Sequence, residues 1–372
     1  MLSKQQADAM AAFQKWFKSR NRAPIFRLFG YAGTGKTTIA KEIAASVNGT
    51  VLFATFTGKA ALVLRKKGCH SASTLHSLLY RPHQDDQTGD FVFDLNPLSS
   101  LADAALLIID EVSMVNDALA QDALSFGKPI LVLGDPAQLP PVKGEGYFIN
   151  AEPDFMLTEI HRQAAENPII RLSMDVREGR YLTPGDHGSC VVVRRGDIDK
   201  DSMMAIALEA DQILCGMNRT RHAMNRRVRE LKGYLADAPV VRDKLVCLKN
   251  NRNKGLLNGG LWSVNASEPM KRHFNPYHQL RVASLDDEKA APLDVEVLNA
   301  FFDGTDDRLH WKDKKKFDDF TYGYALTVHK SQGSQFDNVL LFDESNVFNE
   351  NRWNHLYTGV TRAAEKLTIV LP

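Results

Sequence analysis

Short apolar runs recur in the first half of the chain at residues 25–29, 51–54, 106–109 and 130–133, with stretches of helical spacing between them. Runs without polar alternation are buried on both faces, so the pattern predicts a parallel sheet covered by helices. Between the second and third runs the pattern breaks. Arg81-Pro82 leads into a polar turn at 85–90 and then into Phe91-Val92-Phe93, which predicts a small β-hairpin inserted at about 80–97. Residues two apart in a strand share a face, so Phe91 and Phe93 point the same way. A second α/β region is expected from residue 155, with runs at 212–215, 338–342 and 367–371. From 259 to 303 the pattern changes to short alternating strands, such as 280–283 and 293–297, separated by Pro, Asn and Asp turns, which predicts a small β-barrel. The lysine-rich stretch 312–316 reads as a solvated loop.

Composition narrows the classes. The chain has 372 residues, 44% hydrophobic and 24% charged, which excludes a disordered or fibrous protein and allows two or three packed domains. Lys plus Arg number 46 against 45 Asp plus Glu, so any polyanion site must be a local groove. Cys69, Cys190, Cys215 and Cys247 stand far apart, a pattern of reduced thiols rather than of zinc ligands or a disulfide framework. No apolar run approaches the ~20 residues that span a bilayer, and residues 1–6 lack a signal-peptide core, so a cytoplasmic location away from membranes is expected.

The chemistry is concentrated in Gly30-Tyr31-Ala32-Gly33-Thr34-Gly35-Lys36-Thr37, a G-x-x-x-x-G-K-[ST] loop placed between a strand and a helical run beginning at Thr38. Glycines let backbone N–H groups curl around phosphates at a helix N-terminus, Lys36 supplies charge to the β and γ phosphates, and the Thr37 hydroxyl is a ligand for Mg²⁺. The apolar run 106–109 ends in Asp110-Glu111. Asp110 is placed to hold Mg²⁺ through water, and Glu111 to orient and deprotonate the attacking water.

With these motifs and several others in order, the chain resembles superfamily 1 helicases, in particular the RecD-like and Dda-like branch that moves 5′ to 3′ on single-stranded DNA. Leu2 to Gln6 resembles the adenine-contacting segment, with Gln6 as the contact. Thr57-Gly58-Lys59-Ala60-Ala61 and Thr74-Leu75-His76 are similar to two strand-contacting segments, carrying Thr57, Lys59, Thr74 and His76. Gly134-Asp135-Pro136-Ala137-Gln138 resembles the segment whose glutamine, here Gln138, senses the γ-phosphate. Leu157-Thr158-Glu159-Ile160-His161-Arg162 and Tyr357-Thr358-Gly359-Val360-Thr361-Arg362 resemble segments carrying arginine fingers, Arg162 and Arg362. Thr327-Val328-His329-Lys330-Ser331-Gln332-Gly333 is similar to the segment that couples DNA to nucleotide, which places Thr327, His329 and Lys330 on DNA and Gly333 with the nucleotide-binding Gln6, Gly30, Gly33, Thr34, Gly35, Lys36, Thr37 and Thr38. Asn218 and Arg221 fall where the family places supporting strand contacts.

The resemblance implies an α/β fold with two RecA-like motor domains, one at 1–154 carrying the hairpin and one at 155–258 plus 304–372, with an SH3-like barrel at 259–303. It implies Mg-ATP hydrolysis, single-stranded DNA and duplex junctions as partners with replication or recombination proteins beside them, and a monomer. Arginines supplied to the γ-phosphate from a second domain contribute ~10³–10⁵ in rate and tie hydrolysis to domain movement. The chain is short for the family, which favours a compact phage-type or accessory helicase over a subunit of a recombination nuclease. Alternatives stay open residue by residue: surface ion pairs for Arg162 and Arg362, structural histidines for His76 and His329, a solvated helix for 219–229, and hairpin anchors rather than a strand-separating pin for Phe91 and Phe93. At the level of function the alternatives are a nucleic-acid-stimulated ATPase switch or protein-displacing remodeller, and an RNA helicase.

Overall fold

The computed structural model describes residues 2–84, 91–140, 146–160, 166–234, 238–272 and 275–372, and the chain divides into two compact units, Met1–Arg180 and Tyr181–Pro372. The first is built on strands β1 (Ile25–Gly30), β2 (Val51–Thr55), β3 (Ser73–Thr74), β6 (Leu106–Asp110), β7 (Ile130–Gly134) and β8 (Phe155–Leu157), with β4 (Tyr80–Gln84) and β5 (Phe91–Leu95) outside the sheet. The sheet order is β3-β2-β6-β7-β1-β8, parallel throughout. Side chains alternate across it. Leu28, Ile108 and Leu131 pack with Ala9, Phe13, Ile39 and Ile43 from the helices Lys4–Lys18 and Lys36–Ser46. Ile109 and Val132 face the opposite way, against Leu75, Leu79, Leu119 and Phe148. Truncating one such buried leucine or isoleucine to alanine costs ~2–5 kcal/mol.

The expected boundary at residue 155 falls inside this sheet. Phe155–Leu157 pairs with β1, Leu28 beside Phe155 and Gly30 beside Leu157, because a crossover returns one more apolar strand to the open edge. The hairpin pairs Tyr80 with Leu95 through to Gln84 with Phe91; its turn at 85–90 lies outside the described residues. Tyr80 roots it on the first unit, its hydroxyl donating to Asp122 in the helix Asp117–Leu124.

The second unit contains β9 (Gly185–Asp186), β10 (Cys190–Arg194), β11 (Gln212–Cys215), β17 (Ala325–Thr327), β18 (Phe336–Phe342) and β19 (Ala363–Leu371), ordered β17-β11-β18-β19-β10-β9 and parallel except at β9. A separate antiparallel sheet, β15-β14-β13-β12-β16, is formed by β12 (Lys244–Cys247), β13 (Leu261–Arg272), β14 (Asn275–Ser284), β15 (Leu293–Leu298) and β16 (Phe320–Tyr322). It extends beyond 259–303 on both sides, since β12 and β16 are short, largely buried strands that lack the alternation seen at 280–297. The two sheets share a core in which Ile213, Ala325 and Leu340 meet Leu245, Phe320 and Val295. Only Gly323 and Tyr324 separate β16 from β17. A Cβ at Gly323 would stand 2.8 Å from the Leu245 carbonyl carbon, and Tyr324 Oη donates to Asp243 at 2.9 Å.

Candidate nucleotide and strand sites

Three neighbouring strands of the first unit end side by side, with Phe29 level with Gly134 and Ile109 with Val132. Their following loops therefore converge. After β1, Gly33 and Gly35 take left-handed backbone at φ 79° and 78°, conformations that favour glycine. A Cβ on Gly30 would lie 2.7 Å from Thr34 Oγ1 and 2.8 Å from Leu157 Cβ, so the loop is held tight against the sheet edge. The helix Lys36–Ser46 starts at Gly35 with no side-chain cap, leaving its first N–H groups for an external acceptor. Lys36 Nζ donates to the Gly30 and Tyr31 carbonyls at 2.6 and 3.0 Å and stands 3.8 Å from Asp135. Thr34 is buried and donates to the Tyr31 carbonyl at 2.9 Å.

Asp110 and Glu111 close the end of β6. Burial first, and the Glu111 charge second, push the Asp110 carboxyl up to about 6, against the pull of Lys36. Asp110 accepts the Glu111 N–H at 2.9 Å, and Glu111 itself sits at φ 57°, ψ 50°. Left-handed backbone at a non-glycine residue costs ~1–3 kcal/mol and aims the side chain where an ordinary strand exit would not. In the adjoining loop Asp135 accepts the Ala137 N–H, and the Gln138 N–H donates to the Asp135 carbonyl, so Gln138 begins on a tight turn off β7. An uncapped helix start, a lysine and a hydroxyl–carboxylate oxygen set suit a nucleoside triphosphate and a hard cation such as Mg²⁺.

Gln6 is buried and serves the helix that carries it: its Oε1 accepts the Ser3 N–H at 3.1 Å, and its Nε2 donates to the Thr34 carbonyl at 3.3 Å. The adjacent Gln5, which no motif singled out, fixes the exit of β8 by accepting the Thr158 and Glu159 N–H groups at 2.9 and 2.7 Å. Arg162 lies outside the described residues.

Thr57 and Thr74 cap the helices that leave the adjacent strands β2 and β3, accepting from Ala60 and Ser77 at 3.2 and 3.0 Å. Lys59 is buried at 5% exposure. His76 packs at a tilt against Tyr80, ring centroids 4.5 Å apart, and meets Phe93 edge-on at 5.0 Å. Phe93 is nonetheless 48% exposed, so one ring both touches His76 and faces solvent.

In the second unit Thr327 is buried and its hydroxyl accepts the Lys330 N–H at 3.4 Å, while Gly333 turns the chain at φ 72°. His329 lies 5.4 Å from Phe348, which stacks on His355 at 4.0 Å; burial lowers the His329 pKa, so the ring is a neutral aromatic. Lys330 is exposed as a whole residue but its ammonium end is enclosed, and that burial first, with the Arg221 guanidinium second, lowers its pKa to about 8. Asn218 is exposed at the start of the helix Asn218–Leu231. That helix start is capped from a distance: Glu344 accepts the Gly216 and Met217 N–H groups at 2.8 and 2.9 Å. Arg362 is buried and donates to the Thr358 and Ser334 carbonyls at 3.1 and 3.2 Å.

A family model described as an AAA domain matches residues 1–188, and one described as a UvrD-like helicase C-terminal domain matches residues 322–370. The ATP-dependent RecD2 DNA helicase of Deinococcus radiodurans is 31% identical over 365 residues, covering 91% of this chain and 46% of that protein. The chain belongs to the AAA-domain family. The conjugal transfer protein TraA of Agrobacterium fabrum is 24% identical across 93% of this chain and 31% of its own length. This family member thus spans less than half the length of both relatives. Among solved structures, the Pif1 helicase of Candida albicans matches with a TM-score of 0.56 at 18% identity, covering 100% of this chain and 94% of that one. Bacteroides Pif1 bound to single-stranded DNA matches with 0.56 at 18%, covering 99% and 92%. These two likenesses speak for the RecA-like α/β fold.

Proposed function

We propose that the chain is an ATP-dependent helicase that translocates 5′ to 3′ on single-stranded DNA and unwinds duplex ahead of it. The observation that supports this most is the convergence of Lys36, Asp110, Glu111 and the 134–138 turn at the ends of β1, β6 and β7, in a chain whose second unit holds another RecA-like sheet. Lys36, Thr37 and the amides at the start of the helix Lys36–Ser46 bind the phosphates; Thr37 and Asp110 hold the cation. When bound, Mg²⁺ neutralises charge that develops on the β and γ oxygens. Glu111 orients a water and takes its proton, and Gln138 reports the state of the terminal phosphate. Arg162 and Arg362 add charge to the same reaction. Thr57, Lys59, Thr74, His76, Asn218, Thr327, His329 and Lys330 track the strand, Phe93 with Phe91 meets the fork, and the antiparallel sheet acts as an SH3-like guide. The decisive experiment measures ATP-dependent unwinding of duplexes carrying a 5′ or a 3′ tail, in DNA and RNA versions. Unwinding of the 5′-tailed DNA alone is expected; strand-stimulated hydrolysis without unwinding of any substrate would replace the motor by a switch.

A further inference from the structure

The segment Trp311-Lys312-Asp313-Lys314-Lys315-Lys316 carries four lysines against one aspartate in a chain of net charge +1. Its inner side is anchored. Lys314 pairs with Asp306 at 3.1 Å, and Phe317 is buried against Tyr277 with ring centroids 5.2 Å apart. Asp318, the next carboxylate, is occupied by Lys254 at 2.6 Å. His310 caps the short helix by accepting the Lys312 N–H at 3.3 Å. The outer side is different: Trp311 is 49% exposed, the ammonium groups of Lys312 and Lys315 lie 5.6 and 4.7 Å from its ring centroid, and Lys312, Lys315 and Lys316 are all exposed.

Lys312 and Lys315 engage the indole by cation–π contact, yet about half of the residue stays open to solvent. Leaving a tryptophan half in water forgoes a large burial term, and such rings mark contact surfaces. Lysines alone serve any polyanion, whereas an aromatic face among them suits a strand whose bases are unstacked and accessible. A duplex offers only phosphates here, because its bases already stack on one another. Position favours the same partner. Asp306, the anchor of Lys314, also lies within electrostatic reach of Lys330 and Arg221, which places the segment in the same electrostatic neighbourhood as the strand contacts proposed for the second unit.

We propose that Trp311, Lys312, Lys315 and Lys316 form an additional single-stranded DNA contact that extends the strand path from Lys330, the indole stacking on a base and the lysines holding phosphates. The proposal rests on the reading of the chain as acting on DNA.

The test compares Trp311→Ala, Trp311→Phe and a Lys312→Gln, Lys315→Gln, Lys316→Gln triple variant, each checked for an unchanged circular dichroism melt. Affinity is measured across a salt series for an oligothymidylate and for an abasic strand of equal length. Trp311→Ala is expected to weaken oligothymidylate binding about 5- to 100-fold and abasic binding little, with Trp311→Phe recovering most of the loss. The triple variant is expected to weaken both and to reduce the slope of log K against log salt by up to about 2. Basal ATP hydrolysis stays unchanged in all three. Unaltered affinity and slope in the folded Trp311→Ala and triple variants would overturn the contact, as would a loss confined to duplex DNA. Equal losses on both strands in Trp311→Ala would overturn the stacking. If DNA fails to stimulate hydrolysis while these affinity differences appear, the patch stands and the motor reading falls.

Discussion

At the scale of single residues, the nucleotide loop separates binding from chemistry. Lys36 reaches two loop carbonyls and Asp135, whereas Glu111 is set apart on left-handed backbone beside Asp110. Lys36→Ala should weaken nucleotide binding and abolish turnover; Glu111→Gln should keep binding and lose at least about 100-fold in turnover, read by nucleotide titration and steady-state hydrolysis. Lys330 gives a pH signature. Its pKa of about 8 lies below the ordinary lysine value, so the ammonium is charged below pH 8 and is progressively lost above it. Binding of single-stranded DNA should weaken between pH 7 and 9, its salt slope falling by about 0.7, and Lys330→Arg should remove that dependence. Motif residues such as these were legible because phosphate chemistry demands particular side chains at fixed spacing. Gln5 and Glu344 were not: each acts on backbone groups that only the folded chain brings near, and an isolated Gln or Glu carries no signal of that.

At the scale of elements, the hairpin is fastened at its base and exposed along its length. Tyr80 bonds to Asp122, Phe93 meets His76, and Val92 and Leu95 stay open to water. The choice between a fork-facing ring and a hydrophobic anchor therefore does not divide cleanly for Phe93, since its ring has both environments. Replacing residues 86–90 by a tight turn should abolish unwinding while hydrolysis stimulated by single-stranded DNA continues. Parallel loss of both activities in a folded variant would make the hairpin a structural part of the motor. The alternation of strands and helices was readable from apolar runs alone, but strand partnership was not. Phe155–Leu157 and Lys244–Cys247 are similar short apolar runs; the first completes a parallel sheet and the second joins an antiparallel one, a choice made by crossover geometry rather than composition.

At the scale of the whole molecule, the antiparallel sheet is less separable than the change of pattern at 259–303 suggests. Removing 259–303 would take away β13, β14 and β15 and strip their packing from Leu245, Cys247, Phe320 and Tyr322, all in one core with Ile213 and Leu340. The deletion should therefore unfold or greatly loosen the second unit while the isolated nucleotide loop of the first still binds ATP, as followed by proteolysis and nucleotide titration. The short join between β16 and β17 has a mechanical meaning. Gly323 is pressed onto the Leu245 backbone and Tyr324 is fastened to Asp243, so these two residues hold almost no slack. Any displacement of β16 relative to β17 therefore has only two residues in which to be absorbed, with Thr327 at the far end of the receiving strand, much as a short tendon leaves little to stretch.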